Sequence, residues 1–157
     1  MDIDGTLADV TRRRDYALQF GEDGSVEFYS VFLDGSHYHM DDPIVESRDF
    51  LWRYIRECHG RIVYLSGRRQ GTEEFTESWL RTHGYPNGEI IHRQMGHKSL
   101  WFKSEWIQQL RSQYWVDAHI GDRVDDDGKA ARYNGVKFVH IKDHVWPTST
   151  GLLQRFR

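Results

Sequence analysis

The sequence predicts an α/β fold in which a parallel sheet is flanked by helices. Apolar runs typical of buried strands lie at residues 61–65, 115–120 and 136–141, and a weaker run lies at 89–91. The segments between these runs carry apolar residues at helical spacing. Strands that alternate with helices of about a dozen residues favour βαβ units and therefore a parallel sheet.

Three segments between the strands predict helices, because their apolar residues recur three or four positions apart. The first ends before Gly60, a residue that commonly stops a helix, and the second ends before Gly84. The apolar faces are formed by Phe50, Leu51, Tyr54, Ile55 and Cys58 in the first helix, by Phe75 and Trp79 in the second, and by Phe102, Trp106 and Leu110 in the third.

Length and composition predict a single domain over residues 1–157. Hydrophobic residues make up 38% and charged residues 29%, a mixture that can build a packed core. The net charge of −3 does not favour a general polyelectrolyte-binding surface, although it leaves room for a local basic cleft. The single cysteine, Cys58, excludes an intramolecular disulfide, and no apolar run reaches the roughly 20 residues of a membrane span. With no secretory signal at the start, we expect a cytoplasmic protein.

Residues 21–42 interrupt this rhythm of strands and helices. Short alternating runs are punctuated there by Gly24 and Gly35. We interpret the segment as an insertion that is irregular or forms a small hairpin over one edge of the sheet. Its aromatic residues and two histidines either form a lid that stacks a nucleobase or, more commonly for such residues, close a small core.

Acidic residues collect at two places that should both be carboxyl ends of strands. Asp2 and Asp4 lie at the start of the chain, and residues 121–127 follow the predicted strand 115–120. In an open α/β sheet the carboxyl ends of the strands form the ligand crevice. Several carboxylates at one place need a cation to neutralise them, and an all-oxygen site suits Mg²⁺. For residues 125–127 alone, a solvated acidic loop is the commoner structure.

Two further features complement these acids. Ser66 and Gly67 directly follow a predicted buried strand, where a hydroxyl and free backbone N–H groups can hold phosphate oxygens. Lys98 and Lys103 lie near the start of a predicted helix. Each feature alone is common in surface turns and helices, so it is their order along the chain that points to phosphate chemistry.

In that order the motifs resemble those of phosphatases of the haloacid dehalogenase superfamily. Residues 2–7 match the first motif, residues 65–68 the second, Lys103 (or less closely Lys98) the third, and Gly121-Asp122 with Asp126 the fourth. A finer resemblance is to the 3′-phosphatase domain of phage-type polynucleotide kinases. It is carried by residues 66–68, 71–72, 79–80 and 83–86. The resemblance implies a Rossmann-like parallel sheet with a small cap-like insertion, here residues 21–42.

The resemblance also implies an aspartyl-phosphate mechanism with a role for each motif residue. Asp2 is the nucleophile and Asp4 the general acid and base. Ser66 and Lys103 bind phosphate oxygens, and Asp126 orients Lys103 or a metal-bound water, with Asp125 as the less favoured alternative. The implied ligands of Mg²⁺ are Asp2, Asp4 (through its backbone carbonyl), Asp122 and Asp126.

Substrate contacts are expected beside the second motif and in the arginine run that follows the first. The guanidinium group of arginine can bind phosphate through two hydrogen bonds, so Arg13 and Arg68 are predicted to bind substrate, with Arg68 the better candidate. Gly67, beside Arg68, is the third predicted substrate-binding residue. A solvated basic helix turn is an equally common arrangement for any one of these arginines.

The function implied is a Mg²⁺-dependent phosphomonoesterase that removes 3′-phosphate from nucleic-acid ends. The alternatives are a small-nucleotide phosphatase similar to 5′(3′)-deoxyribonucleotidases, and a nucleic-acid end-binding module without catalysis. The substrate partner is then a phosphorylated nucleic-acid end or a nucleotide. The chain has no P-loop pattern, so we expect any kinase or ligase partner to be a separate chain.

Overall fold

Strands and helices alternate through most of the chain in the computed structural model, which describes residues 1–141. The part of the predicted domain after residue 141 lies outside the described residues. The elements are β1 (Ala8–Asp9), α1 (Thr11–Ala17), α2 (Val26–Phe32), a 3₁₀ helix (Gly35–Met40), β2 (Asp42–Pro43), α3 (Val45–Cys58), β3 (Val63–Arg69), α4 (Glu73–Thr82), β4 (Glu89–Arg93), α5 (Ser99–Gln113), β5 (Ala118–Gly121), a π-helical turn (Val124–Gly128), α6 (Lys129–Tyr133) and β6 (Lys137–His140). This mixed α/β arrangement confirms the predicted fold class.

The strands pair in three two-stranded sheets. The pairs β3–β4 and β5–β6 are parallel, as the alternation of strands and helices predicts, whereas the short pair β1–β2 is antiparallel. A single large parallel sheet is therefore not confirmed.

The first two residues connect the two parallel pairs through backbone hydrogen bonds. The Met1 amino nitrogen donates to the Val63 carbonyl (2.9 Å), and the Leu65 N–H donates to the Met1 carbonyl (2.8 Å). On the other side the Asp2 N–H donates to the Ile120 carbonyl (2.9 Å). Residues 1–2 thus lie between β3 and β5, and Asp2 is held where both strands approach their carboxyl ends.

The core is divided between the two faces of the parallel pairs. Tyr64 and Leu65 are neighbours in β3, point to opposite faces and belong to different apolar clusters. Helices α3 and α4 cover one face, and α5 and α6 cover the other. The main contributors are Ile3, Leu7, Phe50, Leu51, Tyr64, Trp79, Leu80, Tyr85 and Ile120 on the first face, and Leu65, Ile91, Phe102, Ile107, Ala130, Ala131 and Val136 on the second.

Most of residues 21–42 form two helices, at 26–32 and 35–40, so the prediction of an irregular segment or a small hairpin is wrong. Ser25 caps α2, because its Oγ accepts a hydrogen bond from the Phe28 N–H (3.1 Å). The rings of Phe28 and Phe32, four residues apart, stack with their centroids 5.2 Å apart. The i, i+4 spacing of these rings, rather than the two-residue alternation, was the informative pattern here. The assignment of the segment as a cap stays a prediction.

Among residues 1–141, every helix is too short or too polar to span a bilayer.

Leu51 in α3 provides a test of the core. It is 1% exposed, so Leu51→Ala should lower the free energy of unfolding by about 2–5 kcal/mol through lost contacts and the cavity left behind. Urea denaturation measures the change. Arg53→Ala, on the exposed side of the same helix, should stay within about 0.5 kcal/mol of the wild type. Equal losses in the two variants would contradict the assignment of Leu51 to the core.

Candidate active site

Three carboxylates from distant parts of the chain converge at one end of the parallel strands. Asp2, Asp122 and Asp127 each place one oxygen within 4.8 Å of the others. Asp2 lies between β3 and β5, whereas Asp122 and Asp127 follow β5 in the chain. The sequence predicted that Asp2 and Asp122 would meet, and the structure brings them together.

The Asp122 side chain fits a divalent cation. Its Oδ1 is buried and has no hydrogen-bond partner, and a buried carboxylate oxygen without a donor is costly unless a cation or water satisfies it. Oxygen ligands from several carboxylates are the donors that Mg²⁺ prefers. The three side chains thus form a candidate metal site of suitable chemistry, although they do not specify which metal binds.

Two glycines allow the carboxylates to approach the backbone. Gly5 has φ = +77°, and a Cβ built there would lie 2.4 Å from the Asp122 Oδ2. A Cβ built on Gly121 would lie 2.3 Å from the Asp127 Cγ. A side chain at either position would displace one of the three carboxylates, so glycine is required by the geometry of the site itself.

Lys103, from the first half of α5, neutralises part of this charge. Its Nζ lies 2.6 Å from Asp127 Oδ1 and 3.2 Å from Asp2 Oδ1, and the side chain is 2% exposed. Burial alone would lower the pKa of Lys103, but Asp2 and Asp127 outweigh that effect and raise it, so the ammonium stays charged. Lys98 is exposed at the start of α5. The geometry therefore selects Lys103 over Lys98 as the lysine of the site.

Asp127, not Asp126, is the carboxylate that orients Lys103. The turn Val124–Gly128 is π-helical, and the Gly128 N–H reaches back to the Arg123 carbonyl, five residues earlier. This wider turn shifts the inward-facing position by one residue relative to the predicted spacing. Asp126 instead pairs with Arg123 (3.2 Å). The prediction that Asp126 orients Lys103 is therefore not met, and its alternative role, orienting a metal-bound water, stays a prediction. Asp126 is not among the three converging carboxylates.

A buried histidine forms a hydrogen bond with Asp127. His119 in β5 lies with Nε2 2.7 Å from Asp127 Oδ1 and is 2% exposed. Burial lowers the pKa of His119 to about 4, so the ring is neutral at neutral pH and its Nε2–H donates to the carboxylate. Burial tends to raise the pKa of Asp127, but the hydrogen bond from His119 and the charge of Lys103 hold it well below its ordinary value. The sequence analysis missed His119, which looks like an ordinary residue of a buried strand.

Asp2 differs from Asp127 in its protonation. Burial raises the pKa of Asp2 to about 7, with Lys103 opposing the shift and the charges of Asp127 and Asp122 adding to it. Asp2 therefore holds its proton to a higher pH than an ordinary carboxyl does. A bound cation would favour the ionised form, which is the form a nucleophile needs.

Asp4 points into a separate cluster with two arginines. Arg13 NH2 donates to Asp4 Oδ2 and Arg68 Nε donates to Asp4 Oδ1, each at 2.8 Å. Burial tends to raise the pKa of Asp4, but the two guanidiniums overcome it and lower this pKa to about 2. Asp4 is consequently a carboxylate at neutral pH and would have to take up a proton before it could donate one. Its side chain is outside the three-carboxylate group, and metal binding by its backbone carbonyl stays a prediction.

The same two arginines also bind Asp41, at the end of the insertion. Arg13 Nε donates to Asp41 Oδ1 and Arg68 NH2 to Asp41 Oδ2, both at 2.8 Å. Burial raises the pKa of Asp41 to about 6 against the opposing effect of the arginines, so the group is mainly ionised at neutral pH. Asp41 was not identified from the sequence, since no local pattern marks a carboxylate whose partners are 28 and 27 residues away.

Arg13 and Arg68 do not face an open cleft. Both are wholly buried, and each guanidinium donates to Asp4, Asp41 and one further acceptor, the Phe32 carbonyl for Arg13 and the Thr76 hydroxyl for Arg68. Direct contact of these two arginines with substrate stays a prediction. In this structure their forks bind carboxylates of the protein instead of phosphate.

Ser66 and Gly67 lie in β3 beside this cluster. Ser66 is buried, and its Oγ accepts a hydrogen bond from the Arg68 N–H at 3.3 Å. The space where a Cβ on Gly67 would point is empty to 4 Å. The backbone at Gly67 therefore borders open space, where a ligand can approach closely. Phosphate binding by Ser66 and substrate binding by Gly67 stay predictions.

Comparisons with known proteins agree with the fold. No family model matches this sequence, and no curated protein matches it. Among solved structures, the chain is similar to one chain of the Pnkp1/Rnl/Hen1 complex, with a TM-score of 0.69 and 18% sequence identity. The match covers 92% of this chain and 45% of that chain, so this chain spans less than half the length of its structural neighbour. A likeness at this level of identity establishes a shared fold.

The raised pKa of Asp2 generates a prediction about cation binding. Below about pH 7 a proton competes with the cation for this carboxylate, so Mg²⁺ should raise the melting temperature more at about pH 8 than at about pH 6. The shift in melting temperature is smaller at the lower pH because Mg²⁺ binding must first release the proton that Asp2 holds there. Differential scanning fluorimetry with and without Mg²⁺ measures both shifts.

Two variants accompany this measurement. Asp122→Asn should reduce the Mg²⁺-induced shift at both pH values, because it removes a ligand with an unpaired buried oxygen. Asp125→Asn should retain the shift, since Asp125 is exposed and pairs with Lys129. A shift that is independent of pH, or one that survives in Asp122→Asn, would contradict the assigned metal site.

Proposed function

We propose that the chain is a Mg²⁺-dependent phosphomonoesterase of the haloacid dehalogenase superfamily. The single observation that carries this proposal is the contact of Asp2 with Lys103 beside the unpaired carboxylate of Asp122. A nucleophilic carboxylate, a fixed ammonium and a cation site at one point are what attack on a phosphate dianion requires, because the negative charges must be neutralised before they can meet. The connection of β3 and β5 through residues 1–2 supports a Rossmann-like sheet with Asp2 at its centre.

Asp2 would attack phosphorus in line with the departing oxygen. An O–P bond forms to Asp2, the P–O bond to the leaving group breaks, and the leaving oxygen takes a proton. Asp2, Asp122 and Asp127 would hold Mg²⁺, which supplies charge neutralisation to the phosphoryl oxygens when bound. Lys103 would stabilise the same oxygens, while Asp127 and His119 fix its position.

Asp4 would carry the protons of both steps. After taking up a proton it would deliver it to the leaving oxygen, and as a carboxylate it would then accept a proton from the water that attacks the Asp2 phosphoryl ester. The arginines make the carboxylate its resting form, which suits the second step. Asp4 remains about one quarter exposed, so solvent can supply and remove this proton.

The substrate we propose is a 3′-phosphate at a nucleic-acid end. The motif resemblance to polynucleotide kinase phosphatases and the shared fold with a chain of the Pnkp1/Rnl/Hen1 complex both support nucleic-acid end processing. The open space beside Gly67 is compatible with a large substrate. A kinase or ligase partner on a separate chain is a corollary of this proposal.

Asp2→Asn tests the nucleophile. The variant should lose Mg²⁺-dependent phosphate release while keeping its circular dichroism spectrum, because the amide is nearly isosteric but cannot attack phosphorus. The assay compares 3′-phosphorylated oligonucleotides, mononucleotides and sugar phosphates, each with Mg²⁺ and with EDTA. Preference for mononucleotides would indicate the small-nucleotide alternative. Binding of oligonucleotide ends without turnover by the wild type would indicate the end-binding module.

A second pair of variants tests which carboxylate orients Lys103. Asp127→Asn should reduce turnover by at least about 100-fold, since it removes the charge that holds both Lys103 and the cation in place. Asp126→Asn should have a much smaller effect, because that residue pairs with Arg123 near the surface. Steady-state rates on the best substrate of the panel measure both. A larger loss of turnover in Asp126→Asn than in Asp127→Asn would instead support Asp126 as the carboxylate that orients Lys103.

A further inference from the structure

The insertion contributes a carboxylate to a closed ionic cluster around Asp4. Arg13 and Arg68 each bridge Asp4 and Asp41, so two anions and two cations form a ring of neutral total charge. Three of the four side chains have no exposed surface, and Asp4 alone reaches solvent, at 24% exposure. Asp41 therefore faces the arginines from the side opposite the solvent-accessible carboxylate.

The ring is held in place by the residues around it. The Tyr38 ring lies against both guanidiniums, with its centroid 4.7 Å from the Arg13 Cζ and 4.1 Å from the Arg68 Cζ. The Asp41 backbone is fixed as well, since its carbonyl accepts a hydrogen bond from Trp79 Nε1 (3.0 Å). Buried charges held by several partners have little freedom to reorient, so the position of Asp41 determines where the two forks point.

We propose that Asp41 is a positioning residue that aligns Arg13 and Arg68 on Asp4 and thereby sets the geometry of proton transfer. The inference rests on the proposed function and extends it to the insertion. Without the Asp41 charge, two like-charged guanidiniums would compete for Asp4 alone in a buried space, and at least one would have to turn away. The helical insertion then acts as a support for Asp4 through Asp41, Tyr38 and the Phe32 carbonyl.

The test separates proton transfer from overall integrity by the choice of leaving group. An oligonucleotide 3′-phosphate leaves as an alkoxide and needs a proton, whereas p-nitrophenyl phosphate releases a stable phenolate without one. In Asp41→Asn, the first-turnover rate on the oligonucleotide should fall about 100-fold. The first-turnover release of p-nitrophenol should stay close to the wild-type rate. Later turnovers on p-nitrophenyl phosphate should slow, because hydrolysis of the Asp2 phosphoryl ester also needs Asp4.

Asp42→Asn is the matched control. Asp42 is the next residue in the chain, is 60% exposed and pairs with Arg12 at the surface. Its substitution should leave both first-turnover rates unchanged. In an Asp4→Asn background, Asp41→Asn should cause little further loss, because a residue that acts through Asp4 cannot matter once Asp4 is gone.

Four outcomes would overturn the inference. Equal losses on the two substrates in Asp41→Asn would indicate a merely structural role, and additive losses in the double variant would indicate an action independent of Asp4. If Asp41→Asn does not fold, Asp41→Glu keeps the charge at a shifted position and should show the same selective loss to a smaller degree; equal losses there would again overturn it. If the wild-type protein has no phosphatase activity, both the proposed function and this inference are wrong. If the wild type is active but Asp41→Asn loses activity equally on both substrates, only the inference is wrong.

Discussion

The ion pair of Lys103 with Asp2 and Asp127 is the interaction on which the rest of the site depends. Three carboxylates within 4.8 Å of one another would repel strongly in a buried space, and Lys103 is the positive side chain that lies among them in the described part of the chain. Its two contacts join α5, the first residues of the chain and the turn after β5. An ionic contact of this kind contributes more to a defined local geometry than to net stability, because desolvation offsets much of the attraction.

The two carboxylates of the first motif are placed in opposite electrostatic environments. Asp2 lies among other carboxylates and has a raised pKa, whereas Asp4 lies between two arginines and has a lowered one. The two residues are two positions apart in the chain. Besides burial, their protonation is set by charged neighbours from α1, β3, α5 and the residues after β5. The roles that we propose, Asp2 as the nucleophile and Asp4 in proton transfer, therefore need a bound cation that favours the ionised form of Asp2.

Much of the fold was predictable because its signals are local. The spacing of Phe50 and Tyr54, or of Phe75 and Trp79, predicts a helix without reference to the rest of the chain, and α3 and α4 contain these residues. The meeting of Asp2 and Asp122 was predictable because carboxyl ends of parallel strands converge. Asp127 was missed because the sequence spacing does not reveal that the turn after β5 contains one extra residue. The pairing of Arg13 with Asp41 was missed because only the tertiary fold brings these two residues together. The segment 21–42 was predicted to be irregular or a hairpin because its short apolar–polar alternation is typical of strands. An alternation over only four residues also fits a helix.

The close contact between Gly5 and the Asp122 carboxylate constrains how this site behaves over time. A Cβ on Gly5 would overlap the Asp122 carboxylate, so the loop after Asp2 already lies close to the residues that follow β5. A displacement of this loop would separate Asp2 from Asp122 and Asp127. The three carboxylates are consequently brought together when the polypeptide folds. No domain closure is needed to assemble them when a ligand binds. A pocket whose charged groups are already in place needs little reorganisation energy when a ligand binds.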